Sequence, residues 1–168
     1  MIDLNNESGV EVDEKRLVQL ALFAMNELRI HPQAELSILL VDEKTMADYH
    51  QRFMDLPGPT DVLSFPMDEL RPPSDDEEPP LGLLGDIVLC PTVTAAQAAE
   101  NGRTAEGEAD YLLVHGLLHL LGFDHAEPEE KQEMFALQAR LLTSWLTDLA
   151  ERTGGSPEQV RPPTPTEG

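Results

Sequence analysis

Apolar residues return at helical spacing in several stretches of the chain and crowd into short runs in others. Leu17, Leu20, Ala24 and Leu28 recur every three or four positions, so a helix with one buried face is expected over residues 14–30. Asp13 stands where an N-cap side chain is needed. His31-Pro32 ends that helix, because a residue before proline avoids the α region. The apolar run at 36–41 predicts a buried strand, and residues 2–4 predict a short edge strand. Asp42 opens a short helix over about 43–53. Pro57-Gly58-Pro59 is a turn, and 61–66 reads as a strand stopped by Pro66.

Residues 84–89 give a further strand, and Pro91 starts an alanine-rich helix that ends at Gly102. Thr104 caps a helix that runs to about Leu121 and stops at Gly122. Pro128 suits the first turn of a last helix, whose stripe of Met134, Leu137, Leu141, Trp145 and Leu149 reads as core. No repeat of solenoid period is visible. The expected fold is α+β: a single small domain over 1–152, with a mixed, few-stranded sheet packed with helices. Two stretches have little to bury. Residues 68–80 are acidic and proline-rich, and a mobile loop is expected there. Residues 153–168 are rich in Gly, Pro and Glu, and a disordered tail is expected.

The 168 residues match one domain and suffice for a core without disulfides. The one cysteine, Cys90, excludes an intrachain disulfide and a thiolate zinc finger, and reads as a small buried apolar residue. Eleven Lys and Arg against 32 Asp and Glu give a formal charge of −21. That argues against gripping nucleic acid through a broad basic surface, but leaves a local site open. No apolar run approaches the roughly 20 residues of a membrane span. Residues 1–7 lack the basic and apolar regions of a secretory signal. A soluble cytoplasmic protein with no membrane partner is expected.

Three of the five histidines fall within His115-Gly116-Leu117-Leu118-His119-Leu120-Leu121-Gly122-Phe123-Asp124-His125. His115 and His119 are one helical turn apart on one face. Gly122 can turn the chain sharply, so that His125 returns toward both rings. Three converging imidazoles make an open metal site of the catalytic zinc type. At this histidine frequency chance gives the spacing in roughly four chains in a thousand, so three unrelated histidines are the poorer reading. The spacing matches the metzincin pattern H-E-x-x-H-x-x-G-x-x-H with one departure: Gly116 stands where the peptidase base would be. Asp124 has three readings: a fourth ligand, a hydrogen-bond partner of a ligand histidine, or a turn residue, the last two being favoured.

The run His115 to His125 resembles the H-G-x-L-H-L-x-G-[YF]-D-H signature of the YbeY family of bacterial endoribonucleases. Pro59-Thr60-Asp61-Val62-Leu63-Ser64-Phe65-Pro66 resembles that family's P-T-D-V-L-S-F-P motif, and Leu84-Gly85-Asp86-Ile87 its L-G-D-I strand. In order and spacing the three blocks account for most of the chain. The resemblance implies a zincin-like metal-binding helix, with one Zn2+ per chain on His115, His119 and His125. It implies a cytoplasmic zinc-dependent hydrolase that cuts single-stranded RNA, acting late on the 3′ end of 16S rRNA and in ribosome quality control. The rRNA precursor is then the substrate, and small-subunit ribosomal proteins or assembly factors are candidate partners. The family carries an important arginine upstream of P-T-D-V; Arg52 is the matching candidate, although the stretch 53–59 is slightly longer than in many members.

A zinc ion at such a site lowers the pKa of bound water to about 7 and polarises a phosphoryl oxygen. Arg52 then reads as a clamp on the scissile phosphate, since a guanidinium fork fits phosphate; taken alone it reads as an ordinary surface arginine. Ser64 reads either as a substrate contact or as a partner for strand-end backbone groups. Asp61 and Asp86 are candidates for the general base, or anchors of turns. The nucleophile is open between the 2′-hydroxyl of RNA and metal-activated water. The charge of −21 requires that the acidic residues lie away from the cleft, or that basic ribosomal proteins deliver the RNA. Two other functions compete: a zinc peptidase, against which Gly116 speaks, and a non-catalytic ribosome-assembly factor with a structural zinc.

Overall fold

A computed structural model describes residues 1–153. Along it run β1 (Ile2–Asn6), α1 (Glu14–Glu27), β2 (Glu35–Leu40), α2 (Glu43–Met54), β3 (Val62–Pro66), β4 (Leu83–Leu89), α3 (Pro91–Glu100), α4 (Ala105–Leu120) and α5 (Pro128–Thr153). The strands form one mixed sheet in the order β1-β2-β4-β3. β1, β2 and β4 are parallel, and β3 runs antiparallel to β4 at the edge. The architecture is the α+β domain that the sequence predicts.

Strand alternation divides the apolar residues between two faces. Leu36, Ile38, Leu40, Ile87 and Leu89 join α1, α4 and α5 in the main core. Leu63 and Val88 point the other way, onto Met46 of α2 and Cys90. Helix α4 packs against α1, α3, α5, β3 and β4. That surrounding explains why it is apolar on nearly every side, as a central helix must be.

The caps are those expected. Asp13 accepts from the Arg16 N–H at 3.1 Å, Asp42 from Thr45 at 2.8 Å, and Thr104 from Gly107 at 3.0 Å. Helix α1 ends at Glu27, earlier than the expected Ile30. The stop is Arg29 in the left-handed region (φ 58°), which lets the Ile30 N–H reach back to the Met25 carbonyl at 2.9 Å. His31-Pro32 therefore follows the break rather than causing it. Pro66 closes β3 on the sheet edge, where a missing N–H costs little.

Residues 68–80 contain no helix or strand, as their composition predicts. They are tied to the body at several points. Arg29 donates to the Ser74 carbonyl at 2.9 Å, the Pro80 carbonyl accepts from the His31 N–H at 3.1 Å, and Leu70 packs on the main core. Thr153, expected in the tail, closes α5; the remainder of that expected tail, 154–168, lies outside the described residues. Among the described residues no helix is long and apolar enough to cross a membrane.

One buried ion pair crosses the core. Asp110 of α4, 2% exposed, takes both Arg16 Nη2 at 2.7 Å and Nε at 3.4 Å. Burial pushes the Asp110 carboxyl above its ordinary range, and Arg16 opposes that rise.

Candidate metal centre and its cleft

Helix α4 presents His115 and His119 one turn apart, and the turn after it returns His125. Gly122 makes that turn with φ 92°, and the Arg71 guanidinium from the 68–80 loop lies across it. Asp124 accepts from the His125 backbone N–H at 2.7 Å. It is thus the turn residue of the three readings, and it is not in the group of potential ligands.

The three rings face one another. The Nε2 atoms of His115 and His119 are 3.1 Å apart, and the ligand atoms of all three histidines lie within 4.8 Å of one another. Two nitrogens on one tetrahedral ion, each at 2.0–2.1 Å, are separated by roughly 3.3 Å, so the spacing fits a metal. Burial and the neighbouring rings lower the His119 pKa to about 4, and burial lowers that of His115. Both rings are therefore neutral at pH 7 and offer lone pairs. Three imidazoles without a carboxylate suit zinc, copper, iron or nickel rather than magnesium or calcium.

Gln138 was invisible as a site residue in the sequence, although it interrupts the apolar stripe of α5. It is 1% exposed. Its amide nitrogen donates to the Tyr111 carbonyl at 3.2 Å, which turns its oxygen to His115 Nδ1, also at 3.2 Å. An amide oxygen only accepts, so Nδ1 carries the proton and Nε2 is the free ligand atom. Phe135 of α5 lies nearly parallel to His115 and His125, with centroids 6.2 and 6.4 Å away.

The histidines open into a cleft of about 660 Å³, a usual size for a ligand site. Residues 60–66 line one side along the free edge of β3. The Asp61 carbonyl accepts from the Cys90 N–H at 3.1 Å, so odd-numbered residues bond β4 and even-numbered ones face outward. Of the outward N–H groups, that of Val62 is taken by the Asp61 carboxylate at 2.7 Å, and Pro66 has none. The Ser64 N–H is left facing the cleft side. The Ser64 hydroxyl is used elsewhere: it donates to the Gly116 carbonyl at 3.1 Å. The acceptor belongs to the body of α4 and not to the strand-end backbone groups expected as the alternative role of Ser64.

At position 116 even a Cβ is tightly placed. A Cβ there would meet Ile87 Cγ2 and Ser64 Oγ at 3.1 Å, and Val62 Cγ2 at 3.4 Å. Glycine lets α4 seat directly on β3 and β4.

The remaining candidates separate. Asp61 lines the cleft; Asp86 does not, because it alternates with Ile87 of the main core and so faces the side of the sheet away from α4. Arg52 is exposed on the last turn of α2 and is not among the lining residues, while His50 and Met54 of the same helix are. Cys90 is fully buried, and burial pushes its thiol pKa up, as for an inert apolar residue. His50 is a second residue the sequence did not single out. Its Nδ1 is 2.9 Å from the Gly58 carbonyl, which makes Nδ1 the donor and Nε2 an acceptor. Among the described residues, the acidic groups lining the cleft are Asp61 and Glu108, and Glu108 is held by Arg103 at 3.1 Å. The acidic residues of the 68–80 loop stay off the lining.

The fold recurs in known proteins. The family model for endoribonuclease YbeY matches residues 2–146. The chain belongs to the YbeY family. It is 68% identical over 154 residues to a Cutibacterium acnes protein named Endoribonuclease YbeY, covering 92% of this chain and 99% of that one. A Thermobifida fusca YbeY protein is 59% identical over 152 residues, covering 89% and 97%. The solution structure of TM1509 from Thermotoga maritima is similar at a TM-score of 0.61 and 26% identity, over 90% of this chain and 93% of that one.

Proposed function

We propose that the chain is a zinc-dependent endoribonuclease that cuts single-stranded RNA in the cytoplasm, within the maturation of the 3′ end of 16S rRNA and ribosome quality control. The observation that carries the reading is the three-histidine cluster opening into a cleft in a chain of the YbeY family. His115, His119 and His125 hold one Zn2+, which when bound supplies Lewis-acid polarisation of a phosphoryl oxygen and a lowered pKa for water.

The chain's own residues do the rest. Gln138 fixes the His115 tautomer. His50 Nε2, an acceptor in the cleft, takes the proton of the attacking hydroxyl. The Ser64 N–H donates to the strand along β3. Arg52, exposed beside the mouth, contacts the RNA backbone there. Apart from Asp61 and the Arg103-paired Glu108, the acidic groups of the described residues stand off the lining, which limits the repulsion a phosphate meets inside the cleft. Small-subunit ribosomal proteins or assembly factors present the RNA.

The test is cleavage of an end-labelled single-stranded RNA by zinc-loaded protein, with His119→Ala purified in parallel. Cutting by the wild type alone supports the proposal. Equal cutting by both marks a contaminant. If neither cuts naked RNA or ribosomal particles, the enzyme reading fails.

A further inference from the structure

Helix α2 ends in three exposed apolar residues around a sharp turn. Phe53 is 52% exposed, Met54 55% and Leu56 49%, with Asp55 between them in the left-handed region at φ 54°. The Phe53 ring is not loose. It meets Phe65 edge to face at 5.1 Å and 67°, and lies at 27° to Tyr49 at 5.9 Å. Phe65 and Tyr49 pack on the cluster beneath α2, so the ring stands on a rigid base. Met54 and Phe65 also line the cleft of the three histidines, which makes this shelf continuous with the metal centre. The Arg52 guanidinium carbon lies 6.0 Å from the Phe53 ring centre.

We propose that this shelf stacks an unpaired base of the RNA strand whose phosphate occupies the histidine centre. The inference rests on the ribonuclease reading above. Three features select a base as the occupant. With a formal charge of −21, the chain cannot gain most of its affinity by tracking phosphates, whereas stacking on an aromatic ring is indifferent to that charge. Stacking requires an unstacked, splayed base, which single strands supply and duplexes do not. A few side chains fall far short of the roughly 800 Å² per partner of a stable protein interface, so the shelf is sized for a small planar group. Phe53 is then a specificity-determining residue that favours single strands and tolerates any base, since every base has a π-face.

The test uses Phe53→Trp and Phe53→Leu in the zinc-loaded protein. The native Trp145 is fully buried, so a tryptophan at 53 is the fluorophore that RNA bases can reach. Titration with a short single-stranded RNA should quench Phe53→Trp, and the same oligonucleotide with abasic positions should not. Phe53→Leu keeps the apolar packing but removes the ring; it should raise KM about tenfold and leave kcat within twofold. Absence of quenching at RNA concentrations that saturate cleavage would overturn the proposal, as would an unchanged KM in Phe53→Leu. A wild-type dimer that Phe53→Leu dissolves would overturn it in favour of a second copy on the shelf. The ribonuclease reading is judged separately by wild-type cleavage: quenching without cleavage would sustain the shelf and remove that reading.

Discussion

Gln138 reaches from α5 to within 3.2 Å of His115 Nδ1, while its amide nitrogen is committed to the Tyr111 carbonyl on α4. One buried side chain thus orients a candidate ligand ring and joins the two long helices. Gln138→Leu keeps the volume but removes the acceptor of His115 Nδ1 and the donor to the Tyr111 carbonyl. Partners of this kind are worth 10–100-fold in metal affinity, and a loss of about that size is expected. Competition against a zinc chelator measures it; unchanged affinity would show that Gln138 only fills the core.

Gly116 sets how closely α4 approaches the sheet. Gly116→Ala places a methyl 3.1 Å from Ile87 and Ser64, where both neighbours are held. Overpacking of this type costs about 1–3 kcal/mol, set against the small helix gain of alanine over glycine. A net loss of stability is expected in urea unfolding, and Gly116→Glu should fail to fold rather than gain peptidase activity. A soluble, stable Gly116→Glu would refute this account of the position.

Much of this was legible in the sequence, because caps, strands and the histidine spacing are local signals. Asp13, Asp42 and Thr104 announce their helices through one side chain each, and His115, His119 and His125 lie within eleven residues. What escaped was set by tertiary contacts. The end of α1 depends on Arg29, whose guanidinium reaches a loop 45 residues away. Gln138 and His50 gain meaning only from a carbonyl opposite each ring or amide. Asp86, attractive from its motif, alternates with Ile87 of the main core and is turned to the face of the sheet away from α4.

The metal-free protein should weaken in acid through His119. Its folded pKa near 4 lies below the ordinary 6.5, so between those values the unfolded chain holds the extra proton. The stability tied to neutral His119 is complete above about pH 6.5 and is lost as pH falls toward 4. Melting temperatures across that range should fall more steeply for the wild type than for His119→Asn. Parallel slopes would contradict the assignment.

His50 lines the same cleft but lies outside the three-histidine group, with its Nδ1 tied to the Gly58 carbonyl. If it receives the proton, His50→Gln keeps a hydrogen-bonding amide but no base. A fall in kcat of about a hundredfold with little change in KM is expected. A raised KM with unchanged kcat would make His50 a binding group instead.

Chelation separates a working metal from a structural one. Closed structural zinc sites have four protein ligands, whereas three histidines and no further ligand group are found here among the described residues. The main core stands on Leu20, Ile38, Leu117 and Trp145, all buried independently of the imidazoles. Removing the metal should therefore abolish RNA cleavage while far-UV circular dichroism stays unchanged. The melting temperature should drop by only the linkage contribution of the lost ligand, which grows with the logarithm of free zinc over its Kd. Collapse of the circular dichroism on chelation would mean that the histidine turn is needed to hold α4 and α5 together, and would return the assembly-factor reading with a structural zinc.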